Sequence, residues 1–325
     1  MGKRVLITGA SGCIGHYVVE HLLQHTDHEL YLIVRNSSKL GFDWTAFPQV
    51  HLLQADLRDL GKFSELLSTI EIAILIATAW GGTEVVFQVN VHSTIALMQQ
   101  LNLEVCEQII YFSTASVLDR DNQLLPQAGE IGIDYIRSKY ECLNRLLELR
   151  PNLPPIRFLF PTLVLGGDEK KPYSHLSAGI SEVTRWIFLI RWLKTDASFH
   201  FIHGADVAQM VTYFVQHPPK ALPKQSEPEY FVLGNHRITV NQAVEETCDF
   251  FSHRIYFRFN LSLWLANLII VVFRIQMAEW DRFCLNYRHF TYQNVVSPRT
   301  FGLTGYCETF TDALKDNLST KNKGG

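Results

Sequence analysis

Tyr135 and Lys139 stand four residues apart, so on a helix both side chains leave one face and reach one site. A free phenol has a pKa of about 10 and is a poor base at neutral pH. An ammonium alongside favours the phenolate, so the pair predicts a tyrosine that takes and returns a proton during hydride transfer. Upstream, Phe112-Ser113-Thr114-Ala115-Ser116 closes an apolar run in hydroxyls, and Thr114 is the candidate to hold the substrate oxygen. Near the start lies Thr8-Gly9-Ala10-Ser11-Gly12-Cys13-Ile14-Gly15. Its three glycines allow a tight turn, close approach of a pyrophosphate and close helix–strand packing. The helix behind them offers free N–H groups and a positive dipole end. A glycine-rich turn or a Tyr-x-x-x-Lys pair is common alone. Found in this order along one chain, they point to dinucleotide-dependent hydride transfer, with Gly9, Ser11, Gly12, Cys13, Ile14 and Gly15 as candidate cofactor contacts.

The end of the second apolar run bears on which cofactor. An acidic residue there suits the ribose hydroxyls of NAD. This chain has Val34-Arg35-Asn36-Ser37-Ser38-Lys39, and the Arg35 guanidinium suits a 2′-phosphate. NADP is therefore the expected cofactor, with NAD the alternative and a solvated loop the plain reading of these residues. Asp56 and Leu57 follow the third apolar run, placed to meet the adenine ring, although an Asp there also caps helices. Trp80, Gly81 and Gly82 are expected to shape the loop near the nicotinamide. His175 and His203 are candidate polar pocket residues, or structural donors.

These groups need elements to hold them. Buried strands are expected at Arg4–Thr8, Glu29–Val34, Val50–Gln54, 72–77, 108–113 and 156–165, the last broken by Pro161. Helices are expected at 14–24, Ser64–Leu67, 87–103 and 135–149. Continuously apolar strands alternating with helices mean a parallel sheet covered on both faces. The expected fold is thus α/β, a doubly wound parallel sheet of the Rossmann type over residues 1–165. A smaller, mostly helical substrate subdomain follows over 166–325. Segments near 199–216 and 229–234 are expected to return to the sheet domain, and a polar tail from about Lys315 to fray.

The chain has 325 residues, 47% hydrophobic and 19% charged, with net charge −3. No basic field argues for nucleic acid. Six scattered cysteines without a C-x-x-C pair or neighbouring His cluster fit reduced thiols rather than disulfides or a metal. No signal peptide is read at the start, and a cytoplasmic protein is expected.

TGASGCIG at 8–15, QADL at 54–57, NVHST at 90–94, FSTASV at 112–117, YIRSK at 135–139, PTLVLG at 161–166 and FIHGADVA at 201–208 together resemble the extended short-chain dehydrogenases/reductases. Within them the chain is similar to the NAD-dependent epimerase/dehydratase group, which includes dihydroflavonol reductases and hydroxysteroid dehydrogenases. The likeness covers about residues 3–235 and is loose beyond. It implies Thr114, Tyr135 and Lys139 as catalytic residues and Asn90 as a structural or proton-relay partner. Ala77, Thr78, Ala79 and Ser113 would line the cofactor, and Pro161 and Thr162 the nicotinamide. The region of Asp206 would return to the cofactor domain. Sugar-nucleotide 4,6-dehydratases follow their threonine with Asp-Glu; Ala115-Ser116 stand here, which argues against that reaction. The family's Val-Tyr-Gly reads Val117-Leu118-Asp119.

Three functions follow in order of preference. The first is an NADP-dependent reductase or alcohol dehydrogenase for an apolar carbonyl compound, favoured by Arg35 and by the aromatic second half. The second is a nucleotide-sugar epimerase with tightly held NAD, for which Arg185, Arg191 and Arg299 could bind a pyrophosphate. The third is a non-catalytic sensor or assembly factor, which the Thr–Tyr–Lys set argues against. The apolar stretch 259–273, flanked by Arg258 and Arg274, is expected as a buried helix roofing the pocket, with a membrane-surface contact as the alternative. Apolar residues on more than one face of 87–103 and 135–149 suggest a homodimer through those helices, as the resemblance also implies.

Overall fold

A computed structural model describes residues 2–219, 228–272 and 274–321. Seven strands form one parallel sheet: β1 (Arg4–Thr8), β2 (Glu29–Val34), β3 (Val50–Gln54), β4 (Ile72–Leu75), β5 (Gln108–Phe112), β6 (Ile156–Pro161) and β7 (Glu229–Leu233). Their spatial order is β3-β2-β1-β4-β5-β6-β7, every neighbour parallel. This is the expected doubly wound Rossmann arrangement.

The strand sequences are apolar throughout because successive residues enter two different cores. Leu6, Leu75, Ile109, Tyr111 and Phe158 face one side, under the helix run Thr83–Phe87, Gln88–Ser93 and Thr94–Gln99 (α2) and under Asp134–Leu149 (α3). Val5, Ile7, Ile74, Ile110 and Leu159 face the other, under Cys13–His25 (α1) and Gly204–Gln216 (α4). Helix α2 starts four residues before the expected 87 and is π-helical across Gln88–Ser93. Such a turn re-aims side chains, and here it carries Asn90 inward. On α2 and α3 most of the residues that suggested a dimer face, Val91, Met98, Leu143 and Leu146 among them, are already buried within the chain, while Tyr140 and Leu147 are half-buried against the same core. A dimer through these helices then rests on the resemblance alone.

The return to the sheet is narrower than expected. Only Glu229–Leu233 joins it; Phe201–His203 instead pairs with Leu163–Leu165 in a separate two-stranded sheet, and Ser198–Phe199 belongs to a three-stranded one. The chain has turned out of the main sheet plane after Pro161, which cannot donate to a ladder. Helix α4 nonetheless packs on α1, as the return segment required. Helices His175–Arg185, Val240–Phe250 and Phe310–Lys321 complete the smaller part around Leu165, Ile180, Phe201 and Leu314. The polar tail is helical to Lys321, anchored by buried Ala313 and Leu314, and residues 322–325 lie outside the described ones.

Candidate active site

The strand order reverses between β1 and β4, and the glycine turn sits at that point. Gly9 has φ +78°, and a Cβ on it would stand 2.6 Å from the Ala77 nitrogen. A Cβ on Gly15 would stand 2.1 Å from the Gly9 carbonyl oxygen, so α1 passes too close for any side chain. Gly12 is the N-cap of α1, without a side-chain cap and without an acidic residue in the first turn. The helix end therefore presents unspent N–H groups to an anion. The Cys13 thiol is pushed up to about 12 by burial, so at this position the backbone and not the sulfur is available. Ser11 lies in the turn, and Ile14 packs into the core.

One partner of this turn was not read from the sequence. His16 donates from Nδ1 to the Gly12 carbonyl (2.8 Å) and accepts at Nε2 from the Gly41 N–H (2.9 Å), a neutral imidazole whose pKa burial lowers. It clamps the loop after β2 onto α1. Gly41 is required because a Cβ there would lie 1.6 Å from the Lys170 carbonyl oxygen. In that loop Arg35 is exposed and makes no ion pair among the described residues, while Asn36 folds back to accept from Ser38. Asp56 is ion-paired within the protein. Arg58 grips both its carboxylate oxygens, at 2.8 and 3.0 Å, and holds its pKa down, and Leu57 packs on the core.

Asn90 is fully buried and ties the loop after β4 to α3. Its Oδ1 accepts from the Ala79 N–H at 2.7 Å and from the Thr78 hydroxyl at 3.2 Å. Its Nδ2 donates to the Ala79 carbonyl and to Ser138 Oγ, which in turn donates to the Tyr135 carbonyl. The Thr8 hydroxyl accepts from the Ala77 N–H, so Ala77, Thr78 and Ala79 are fixed from both sides.

The structure brings Thr114 and Tyr135 together and turns Lys139 elsewhere. Burial pushes the Tyr135 phenol up to about 12, and a hydrogen bond with Thr114 partly offsets this. Lys139 does share the face of α3, but its ammonium donates to the Phe112 carbonyl at 2.8 Å and lies over the Tyr111 ring. Burial lowers its pKa to about 8. The expected ammonium-driven drop in the Tyr135 pKa is thus absent from the protein alone. Helical spacing sets the face, but the long lysine stem finds the unpaired carbonyl at the end of β5 first. Ser113 Oγ is buried with no hydrogen-bond partner among the described residues.

Above Tyr135 lies Trp80, stacked at 4.0 Å with the planes 18° apart, and His175 packs against Trp80 at 4.5 Å. Gly81 and Gly82 both have positive φ, which lets the loop turn after Trp80. His175 therefore belongs to the site, whereas His203 is structural, capping α4 and meeting Asp316. Pro161 is buried at the end of β6, and the Thr162 hydroxyl donates to the Leu233 carbonyl. Asp206 accepts from the Tyr306 and Cys307 N–H groups, pinning the end of the chain to α4.

A dinucleotide fits this arrangement. The glycine cradle, the bare N-terminus of α1 and the orphaned Ser113 hydroxyl line the ends of β1, β4 and β5, where such ligands bind in open α/β sheets.

Residues 5–234 match the model of the NAD dependent epimerase/dehydratase family. No curated protein matches the chain. Among solved structures, the chain is similar to that of gox2253, at 20% identity and TM-score 0.68, covering 100% of this chain and 99% of that one. It is also similar to a UDP-N-acetylglucosamine 4-epimerase from Methanobrevibacter ruminantium M1 in complex with UDP-N-acetylmuramic acid, at 15% identity and TM-score 0.67, covering 100% and 99%. A third is DesIV, a dTDP-glucose 4,6-dehydratase from Streptomyces venezuelae with NAD and TYD bound, at 17% identity and TM-score 0.66, covering 98% and 97%. At these identities the likeness speaks for the fold.

Proposed function

The chain belongs to the NAD dependent epimerase/dehydratase family, and from that premise we propose that it is an oxidoreductase reducing an apolar carbonyl compound with NADPH. The observation that carries this reading is the aromatic wall of Trp80 and His175 over the Tyr135–Thr114 pair. An indole face beside the proton-transfer group suits an apolar or ring-bearing substrate better than a sugar hydroxyl array.

When bound, the reduced nicotinamide supplies the hydride that reaches the carbonyl carbon. Tyr135 donates its phenolic proton to the carbonyl oxygen, and Thr114 holds that oxygen and the phenol in line. With its pKa near 12, Tyr135 is protonated at neutral pH, the form that reduction requires. Lys139 stiffens the end of β5 by donating to the Phe112 carbonyl, one residue before Ser113 and two before Thr114. Arg35 supports NADP over NAD, because its guanidinium is unpaired and exposed at the end of β2. Ala115 and Ser116 offer no acid–base pair, which speaks against dehydration of a sugar nucleotide.

A second reading, epimerisation of a nucleotide sugar, is favoured by the fold neighbours that carry such ligands. Of the arginines that could hold a pyrophosphate, Arg299 is engaged by Glu308 and Arg191 by the Arg254 carbonyl. Consumption of NADPH, followed at its absorbance with a panel of apolar ketones and aldehydes, supports the first reading. Net turnover of a UDP-sugar without cofactor consumption supports the second and removes the first.

A further inference from the structure

We propose that the surface formed by residues 186–194 and 254–272 docks on an anionic lipid bilayer, lying in its headgroup region without crossing it. The two segments form one surface. Phe259–Asn260 pairs with Leu193–Lys194, the Trp192 ring meets Phe257 at 5.0 Å, and Arg191 donates to the Arg254 carbonyl. The helix Leu263–Val272 follows directly.

This helix overturns the expectation of a buried pocket roof. Among its described side chains Ala266 is buried, whereas Trp264 is 72% and Val271 73% exposed. With Trp186, Tyr256, Phe259 and Val272 also exposed, the apolar surface is larger than scattered single residues explain. Apart from Asn267 the helix is apolar all round, a pattern stable only in a core or in lipid. Ten residues give about 15 Å, half of the roughly 30 Å hydrocarbon thickness, and no described helix is long and apolar enough to cross a membrane. The helix can therefore lie on a bilayer but not span it.

Charge selects the occupant. Between Glu182 and Asp196 the chain carries Arg185, Arg191 and Lys194, and between Asp249 and Glu279 it carries Arg254, Arg258 and Arg274, with no carboxylate in either stretch. Glu245 neutralises Arg258, whereas Arg185, Lys194, Arg254 and Arg274 are exposed in a chain whose net charge is −3. Aromatic side chains with flanking arginines match the headgroup boundary of an anionic leaflet. A second copy would press the same cations together across a two-fold axis, because an isologous contact joins identical patches. The helix His175–Arg185 begins at the Trp80 wall and ends beside Trp186, a path of about 16 Å from the site to this surface. Entry of substrate from the leaflet along that path rests on the reaction proposed above; the docking itself does not.

The test is flotation of the full chain with vesicles of phosphatidylcholine alone and of phosphatidylcholine mixed with phosphatidylglycerol, at low and high salt. Binding to the anionic vesicles that weakens with salt is expected. Trp264→Glu should lower the partition roughly tenfold or more, as expected when a large apolar side chain is kept from burial. Arg254→Glu and Arg274→Glu should each lower it about fivefold or more, the equivalent of about 1 kcal/mol. Circular dichroism and thermal unfolding check that each variant is folded, and Val271→Glu replaces Trp264→Glu if the latter fails. Absence of flotation with anionic vesicles overturns the proposal, as does equal flotation of wild type and the folded glutamate variant. A doubled mass in light scattering that the glutamate variant returns to a monomer, without vesicle binding, would assign the surface to a second copy instead. Because vesicle binding is read without turnover, its failure leaves the reaction intact, and failure of the reaction leaves it readable.

Discussion

The indole of Trp80 lies nearly flat on the phenol ring of Tyr135, with centroids 4.0 Å apart and planes inclined by 18°. Trp80 comes from the loop after β4 and Tyr135 from the first turn of α3, and buried Asn90 bonds to the backbone of Ala79, next to the one, and to Ser138, beside the other. The wall and the proton-transfer group are thus held as one unit.

If that wall is part of the substrate site, Trp80→Ala should raise KM for an apolar ketone more than it lowers kcat. Aromatic contacts contribute about 0.5–1.5 kcal/mol beyond buried area, which sets an effect of about 2–10-fold. Trp80→Phe should recover most of it. Steady-state kinetics with an unchanged KM in Trp80→Ala would remove the wall from the substrate site.

Tyr135→Phe keeps the ring and its stack on Trp80 while losing the proton. Turnover should fall by about 10²–10⁴-fold with cofactor affinity nearly unchanged. Near-normal turnover with intact cofactor binding by calorimetry would falsify the role given to Tyr135.

Arg35→Asp places a carboxylate where the 2′-phosphate of NADP is expected. Hydrogen bonds to charged groups contribute about 1.5–3 kcal/mol, so NADP affinity should fall tenfold or more while NAD affinity is spared. Calorimetry that finds the wild type binding NAD more tightly than NADP rejects the cofactor assignment.

Asn90→Ala should destabilise the fold by about 1–3 kcal/mol, because the Ala79 N–H and carbonyl lose their buried partner. It should also cut kcat/KM, since the loop that carries Trp80 is then free to shift. Denaturant unfolding and kinetics are read together, and a stable variant with reduced activity would separate positioning from folding.

Lys139 links stability to pH. Burial lowers its folded pKa from the ordinary 10.5 to about 8, so the folded state gives up this proton before the unfolded chain does. Its contribution therefore opposes folding below about pH 8 and fades as pH rises toward 10.5. Lys139→Met should be the more stable protein at neutral pH, with the difference from wild type narrowing in alkali. A thermal midpoint difference that stays constant across that range would contradict the burial of a charged ammonium.

Much of the site was legible in the chain itself because it is local. Gly9 needs φ +78° and Gly15 needs room against the Gly9 carbonyl only a turn away, so glycine spacing after an apolar strand announces the cradle. Tyr135 and Lys139 share a face by helical geometry alone. The alternation of buried strands and helices fixed the doubly wound sheet, since each strand must feed two cores.

What stayed hidden depends on partners far apart in sequence. No spacing says that Lys139 spends its ammonium on the Phe112 carbonyl, that Arg58 occupies Asp56, or that His16 clamps Gly41. Glu229–Leu233 and Phe201–His203 are similar short apolar runs, and only packing decides that the first joins the main sheet and the second leaves it. The helix Leu263–Val272 is the plainest case. Apolar side chains on nearly every side carry no period to mark an inner face, so the sequence determined that it is helical and uncharged. The tertiary structure alone decided that it stands outside, because exposure depends on what the rest of the chain leaves uncovered.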